Sequence, residues 1–146
     1  MASKTFTIAD VSPAAASTAI GDVVMGLNAY DAFLIDADLV GATGGVLDVY
    51  LQRKIADNVW RDWLHFTQLT AGAAAVRYSV STAPGIANTI VAVGTGTDSA
   101  ATPALAANTF IGGHPGDAVR AVYVAGASTS AGASITIRIR GWQRGV

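Results

Sequence analysis

The residues of this sequence that could do chemistry are few and lie far apart. Asp36 and Asp38 begin like an EF-hand calcium loop. However, the fifth position of that loop is Val40 and the twelfth is Leu47, where the motif requires an oxygen ligand and a glutamate. The glycine-rich run at residues 94–99 lacks the Gly-Lys-Ser/Thr ending of a phosphate-binding loop. We therefore expect no metal and no cofactor.

The two histidines do not predict a catalytic site. His114 lies in Gly-Gly-His-Pro-Gly-Asp, whose residue types favour tight turns. Asp117 and a nearby serine could be combined with His114 into a Ser-His-Asp triad, but no sequence motif supports that combination. The stretch around Ser128 lacks the second glycine of a nucleophile elbow. His65 alternates with apolar residues, as on a strand face, and the chain has no cysteine for a thiolate site. We expect a protein that is not an enzyme.

Basic and aromatic residues gather near the end of the sequence, where Arg138, Arg140 and Arg144 surround Trp142. Three interpretations stay open. The group can stack nucleic-acid bases, it can be a strand face whose arginines pair with aspartates, or it can contact an acidic partner surface. The formal net charge of -1 gives no overall basic field, so nucleic acid is not an expected partner.

Two tryptophans, Trp60 and Trp63, lie three residues apart in a strand-like segment, so alternation places them on opposite faces. We expect Trp60 in the core and Trp63 exposed beside Arg61 and His65. Because aromatic side chains are frequent anchors of interfaces, Trp63 is the best single contact candidate. A flat exposed tryptophan is also typical of a sugar-binding platform.

The composition favours a β-protein whose surface meets other chains. All ten acidic residues are aspartate, and glutamate and lysine, the usual solvent-face residues of helices, are absent or rare. Charged residues make up only 13% of the chain, and the mean hydropathy is +0.43, which abundant alanine also raises. No run approaches the ~20 apolar residues of a membrane helix, and residues 1–13 lack the apolar core of a signal peptide. We expect folding in a cytoplasm, with no membrane partner.

Alternating apolar residues and regular turn signals predict an all-β fold, an antiparallel β-sandwich or jelly roll of about eight or nine strands. The predicted strands are Ser3–Ile8, Thr18–Leu27, Ala32–Leu39, Val46–Arg53, Val59–Leu69, Val76–Val80, Asn88–Val93, Ala118–Ala125 and Ala133–Trp142. A loop is predicted at residues 94–116, and its length indicates binding or ordering against a neighbouring chain.

The sequence divides into an N-terminal segment, residues 1–17, and a β-sandwich domain, residues 18–146. The first contains a short strand with Phe6 and Ile8, followed by Pro13 and a linker of small residues. Two arrangements are compatible with it. The strand is either an arm that adds to a neighbour's sheet or an edge strand of its own sandwich.

Two segments resemble a known class of proteins. They are Leu39-Val-Gly-Ala-Thr-Gly-Gly-Val-Leu-Asp-Val-Tyr-Leu-Gln with the following Trp60-Arg-Asp-Trp-Leu-His-Phe-Thr-Gln-Leu, and the strand Ile-Thr-Ile-Arg-Ile-Arg-Gly that starts at Ile135. Over roughly residues 30–80 and 118–142, the chain is similar to small structural proteins encoded among the head genes of tailed bacteriophages. The resemblance implies a capsid decoration (cement) protein. Such a protein is a sandwich or jelly roll, commonly trimeric, that sits on the shell at junctions between capsomers and has no catalytic residues.

This interpretation predicts a protein of the virion's capsid surface whose partners are its own copies, as a homotrimer, and the major capsid protein. The interface candidates are Phe6, Ile8, Arg61, Trp63, Arg138, Arg140 and Trp142. Two alternatives stay open. One is a tail-tube, spike or fibre component of a phage, and the other is a carbohydrate-binding module that uses Trp63 or a tyrosine face.

Overall fold

The computed structural model describes residues 2–40, 45–70, 76–82, 105–126 and 133–143. Within these ranges the chain forms nine strands and a single-turn 3-10 helix at Leu27–Ala29. The strands are β1 (Ser3–Val11), β2 (Ser17–Ile20), β3 (Ala32–Val40), β4 (Leu47–Ala56), β5 (Val59–His65), β6 (Val76–Thr82), β7 (Thr109–Phe110), β8 (Val119–Ala125) and β9 (Ser134–Trp142).

The strands form two antiparallel sheets, which confirms the all-β sandwich. One sheet has four strands in the order β1-β9-β3-β6, and the other has five in the order β2-β8-β4-β5-β7. Without the two-residue β7, this is the strand order of an eight-stranded jelly roll, in which most neighbouring strands are distant in sequence and, among the described strands, only β4 and β5 form a hairpin. Non-local pairing of this kind brings β1, β3 and β9 side by side.

The core lies between the sheets and follows the alternation of the sequence. On β9, Ile135, Ile137 and Ile139 are each completely buried, and their partners on β3 include Ile35 and Leu39. Burial of each such aliphatic side chain contributes about 1.5–3 kcal/mol to the stability of the folded state. The residues between them on both strands point away from the core and form the outer face of the four-stranded sheet.

Two predicted elements differ from the structure, and a third falls outside the residues it describes. The second strand was expected to reach Leu27, but β2 ends at Ile20, and Val24 makes only an isolated bridge to Val119. Gly26 then adopts a left-handed conformation (φ 83°) at the start of the 3-10 turn, which a continuing strand excludes. The predicted loop contains β7, whose two residues pair with β5. The expected strand at residues 88–93 lies outside the described residues.

In the single chain, the N-terminal strand is the edge strand of the four-stranded sheet. β1 pairs antiparallel with β9 from Ser3 to Val11, with one irregularity between Thr7 and Ala9. Ile8 and Ala9 lie in the core, with 3% and 6% of their surfaces exposed. Exchange of this strand between copies stays a prediction.

One glycine of β9 allows an aromatic ring to close this end of the core. Gly141 continues the inward-facing series of isoleucines, and a Cβ atom at this position would lie 2.6 Å from Cγ of Tyr30. The Tyr30 ring therefore fills the space that a side chain on residue 141 would take. It also packs edge-on against Phe6, with ring centroids 5.7 Å apart, and against Phe33 at 6.3 Å.

Replacing Gly141 with alanine is expected to lower the free energy of unfolding by about 1–3 kcal/mol, because the new methyl group overpacks the site and displaces the Tyr30 ring. Urea unfolding followed by circular dichroism measures the change. Gly21→Ala is the matched control, since a Cβ there meets its nearest atom, the Ala121 carbonyl oxygen, at 3.4 Å. Equal losses in the two variants would contradict the role assigned to Tyr30.

Candidate functional site

The outer face of the four-stranded sheet carries a groove of about 190 Å³. The residues that line it come from three adjacent strands: Thr5 on β1, Arg138 and Arg140 on β9, and Leu34 and Asp36 on β3. We call this feature the arginine groove. All residues that line the groove belong to strands, so the sheet fixes the spacing between them.

The register of the sheet explains why these residues meet. Arg140 lies between Thr5 on one side and Leu34 on the other. In the next row that faces outward, Arg138 lies between Thr7 and Asp36. A row at the other side of Arg140 contains Trp142, flanked by Ser3 and Ala32.

The two arginines of the groove differ in how they are held. Arg140 donates a hydrogen bond from one guanidinium nitrogen to Oγ of Ser3 at 3.0 Å, and its Cζ lies 5.3 Å from the ring centroid of Trp142. The guanidinium group of Arg138 makes no hydrogen bond or ion pair in the part of the chain that the structure describes. By contrast, Arg77 on β6 donates to Asp38 at 2.6 Å.

Three predicted interface residues therefore come together on this face: Arg138, Arg140 and Trp142. Arg61 is exposed but lies on β5 in the other sheet, where it donates to the Trp60 carbonyl oxygen at 3.0 Å. Phe6 is half-buried and packs against the core side of the sheet, while Ile8 belongs to the core itself. Ile8 is thus not available as a contact residue in this fold.

The prediction of an exposed Trp63 is wrong, because its side chain is completely buried. The pairing of β4 with β5 passes from Leu51–Leu64 directly to Gln52–Asp62, so Trp63 is the extra residue of a β-bulge. The bulge turns two successive side chains, Trp63 and Leu64, into the core.

The polar atom of the Trp63 indole is satisfied inside the fold. Its Nε1 donates to the Gly112 carbonyl oxygen at 3.0 Å, and its ring packs edge-on against Phe110 at 5.5 Å. Trp60 is buried as expected, with 8% of its surface exposed, but it lies outside the main core cluster and packs against the Arg120 guanidinium, 4.2 Å from its ring centroid. The sugar platform built on Trp63 is therefore excluded.

A buried polar network on the outer side of the five-stranded sheet was missed by sequence reasoning. His65 is only 4% exposed, and its two ring nitrogens lie 2.6 Å from acceptors, namely Oδ1 of Asp48 and the carbonyl oxygen of Leu105. The backbone N–H of Leu105 donates to Asp62 at 3.0 Å. Two side chains of β5, His65 and Asp62, thus hold both backbone groups of Leu105, and Asp48 of β4 holds the His65 ring.

The same network continues across the sheet to β8. The Gln52 amide donates to the other oxygen of Asp62 at 2.9 Å, and its own oxygen accepts from Arg120 at 2.8 and 3.0 Å. The pKa of the nearby Tyr50 hydroxyl is raised, mainly because the group is buried and also because Asp62 and Asp48 carry negative charges. The hydroxyl therefore stays neutral.

The geometry indicates the charge state of His65. Two acceptors require two N–H donors, which only the imidazolium form provides. Burial opposes this form and lowers the pKa of His65, but the hydrogen bonds to Asp48 and to the Leu105 carbonyl, together with the charges of Asp48 and Asp62, outweigh it and raise the pKa above its ordinary value of 6.5. Both ring nitrogens are occupied, so the ring acts as a structural clamp on residue 105.

Among the described residues, no three His, Cys, Asp or Glu side chains lie close enough together to hold a metal ion. The helical structure found in those ranges is the single 3-10 turn, which is too short to cross a membrane. Comparisons with protein-family models, with curated proteins and with solved structures find no match to this chain.

Proposed function

We propose that this chain is a non-enzymatic virion protein that binds the outside of a tailed-phage capsid and reinforces contacts between capsid subunits. The resemblance of residues 30–80 and 118–142 to head-gene structural proteins supports it. The jelly-roll strand order is also compatible with it, because this architecture recurs in viral capsid and lectin domains.

The observation that carries the proposal is the difference between the two outer faces. On the five-stranded sheet, outward-facing side chains are covered: Tyr50 and Val122 are completely buried, and Gln52 is 1% exposed. On the four-stranded sheet, Arg138 and Arg140 of the arginine groove are exposed to solvent. One face is closed by the chain itself, and the other is open to a partner.

Binding to heads is the direct test of this function. Purified protein is mixed with empty heads assembled from the major capsid protein of the same genome, and the heads are sedimented. Saturable co-sedimentation at a fixed number of copies per head is expected. Absence of binding to heads at tens of micromolar would overturn the proposal, and binding to purified tails alone would favour a tail component instead.

Self-association as a trimer belongs to the same proposal. Trp63 is buried and cannot supply an apolar contact, but other apolar side chains are exposed, among them Val23 and Met25 before the 3-10 turn, at 46% and 61%. We expect sedimentation equilibrium at micromolar concentration to give a mass near three times 14.8 kDa.

The double variant Val23→Asp/Met25→Asp is expected to shift the equilibrium towards the monomer, because it places charges on this apolar segment. Ile55→Asp is the control, since Ile55 is equally exposed (56%) but lies in the β4–β5 hairpin. A monomeric wild-type protein would contradict the trimer, and dissociation by Ile55→Asp alone would move the interface to the hairpin.

A further inference from the structure

We propose that the arginine groove receives an extended, acidic segment of the capsid protein, with carboxylates at alternate positions seated against Arg138 and Arg140. This inference rests on the proposed function and names the chemistry of the partner. The segment lies along the strands, over Leu34 and beside Asp36.

The spacing of the two arginines is that of a strand. Residues 138 and 140 of β9 point to the same side of the sheet, and a strand advances about 3.3 Å per residue, so their Cα atoms lie about 7 Å apart. An extended partner segment repeats its own side chains with the same period. Carboxylates at positions i and i+2 of such a segment can therefore face both guanidinium groups at once.

The positive charges in the groove outnumber the negative ones. Asp36 lies opposite Arg138 in the register, yet the two form no ion pair within 4.0 Å in the described part of the chain. Asp38, one row further, is engaged by Arg77 at 2.6 Å. Within the groove, two guanidinium groups face one carboxylate, which leaves one uncompensated positive charge.

The donors of both arginines are available. A guanidinium group has five N–H donors, and Arg140 uses one of them on Ser3, while Arg138 uses none within the described residues. The contact of Arg140 with Ser3 and with the ring of Trp142 limits its rotamers, so less entropy is lost when it binds a carboxylate. Charge-assisted, bidentate bonds of this type are about twice as strong as neutral ones.

The lining and size of the groove favour side chains rather than a folded surface. Leu34 adds an apolar side chain to the lining, and Thr5 adds a hydroxyl group. A volume of about 190 Å³ accommodates two or three side chains. A single extended segment fits this space, whereas the curved surface of a whole domain would touch only its rim.

Charge reversal tests the inference. Arg138→Glu is compared with Lys54→Glu, which makes the same change of charge on β4 of the other sheet, at a residue that is not an interface candidate. We expect the Kd of Arg138→Glu for empty heads to rise at least 30-fold and that of Lys54→Glu to change less than 3-fold. The wild-type Kd should also rise between 50 and 500 mM salt, with a smaller rise in Arg138→Glu. Thermal unfolding checks that both variants fold.

The outcomes separate this inference from the function on which it rests. If the wild-type protein does not bind heads, the proposed function fails. If the wild-type protein binds but both variants retain its affinity, or both lose it equally, the arginine groove is not the docking site. A last experiment measures binding of a single-stranded oligonucleotide by fluorescence anisotropy. If the wild-type protein binds it and Arg138→Glu does not, the partner of the arginine groove is nucleic acid and the acidic segment is ruled out.

Discussion

Replacing Trp63 with alanine is expected to lower the free energy of unfolding by about 3–5 kcal/mol. The side chain is completely buried between the sheets, so its removal leaves a large cavity. The Gly112 carbonyl oxygen also loses its donor. Urea unfolding followed by far-ultraviolet circular dichroism measures the loss without relying on tryptophan fluorescence.

Two further variants separate packing from hydrogen bonding. Trp63→Phe keeps most of the apolar volume but not the N–H donor, and a smaller loss of about 1–3 kcal/mol is expected. Trp142→Ala is the surface control, because Trp142 lies at the outer face of the four-stranded sheet, and a loss below about 1 kcal/mol is expected. If Trp63→Ala lowered the free energy of unfolding no more than Trp142→Ala does, the result would contradict the burial of Trp63 by the bulge.

The second large effect concerns His65 and pH. The folded-state pKa of His65 is raised above its ordinary value of 6.5, so the unfolded chain releases its proton at lower pH than the folded one. The stabilisation by the charged ring is therefore complete below about pH 6.5 and is lost as the pH rises through the folded-state pKa. Each unit of difference between the two pKa values corresponds to about 1.4 kcal/mol.

Urea unfolding between pH 5.5 and 9 should therefore show stability falling towards alkaline pH. His65→Gln is expected to cost about 3–5 kcal/mol at pH 6, because Asp48 loses its charged partner, and to flatten the decline. Asp48→Asn should also reduce the slope, since the carboxylate contributes to the raised pKa. An unchanged slope in His65→Gln would show that another group causes the decline.

The fold was predictable where alternation is uninterrupted. The sequence places Ile135, Ile137 and Ile139 on one face of a strand, and β9 buries all three. Alternation failed on β5, where the extra residue of the bulge turns Trp63 into the core, so that Trp60 and Trp63 are both buried. No local feature of the sequence marks that bulge, because it depends on how β4 and β5 align.

The candidate site was predictable only along one strand. Arg138, Arg140 and Trp142 lie at alternate positions, so the sequence alone places them on one face. Asp36 and Leu34 are about 100 residues away in sequence and reach the groove only because β3 pairs with β9. The clamp on Leu105 could likewise not be predicted, since it requires two side chains of β5, His65 and Asp62, to meet a backbone segment 40 residues beyond His65.

Electron cryomicroscopy of heads, with and without the bound protein, tests the central claim most directly. We expect additional density on the outer surface of the shell, at junctions between capsomers, as three copies whose four-stranded sheets face the capsid protein. The arginine groove should lie over an extended, acidic segment of the shell. Density confined to the tail or to the interior of the head, or a shell identical with and without the protein, would contradict the account.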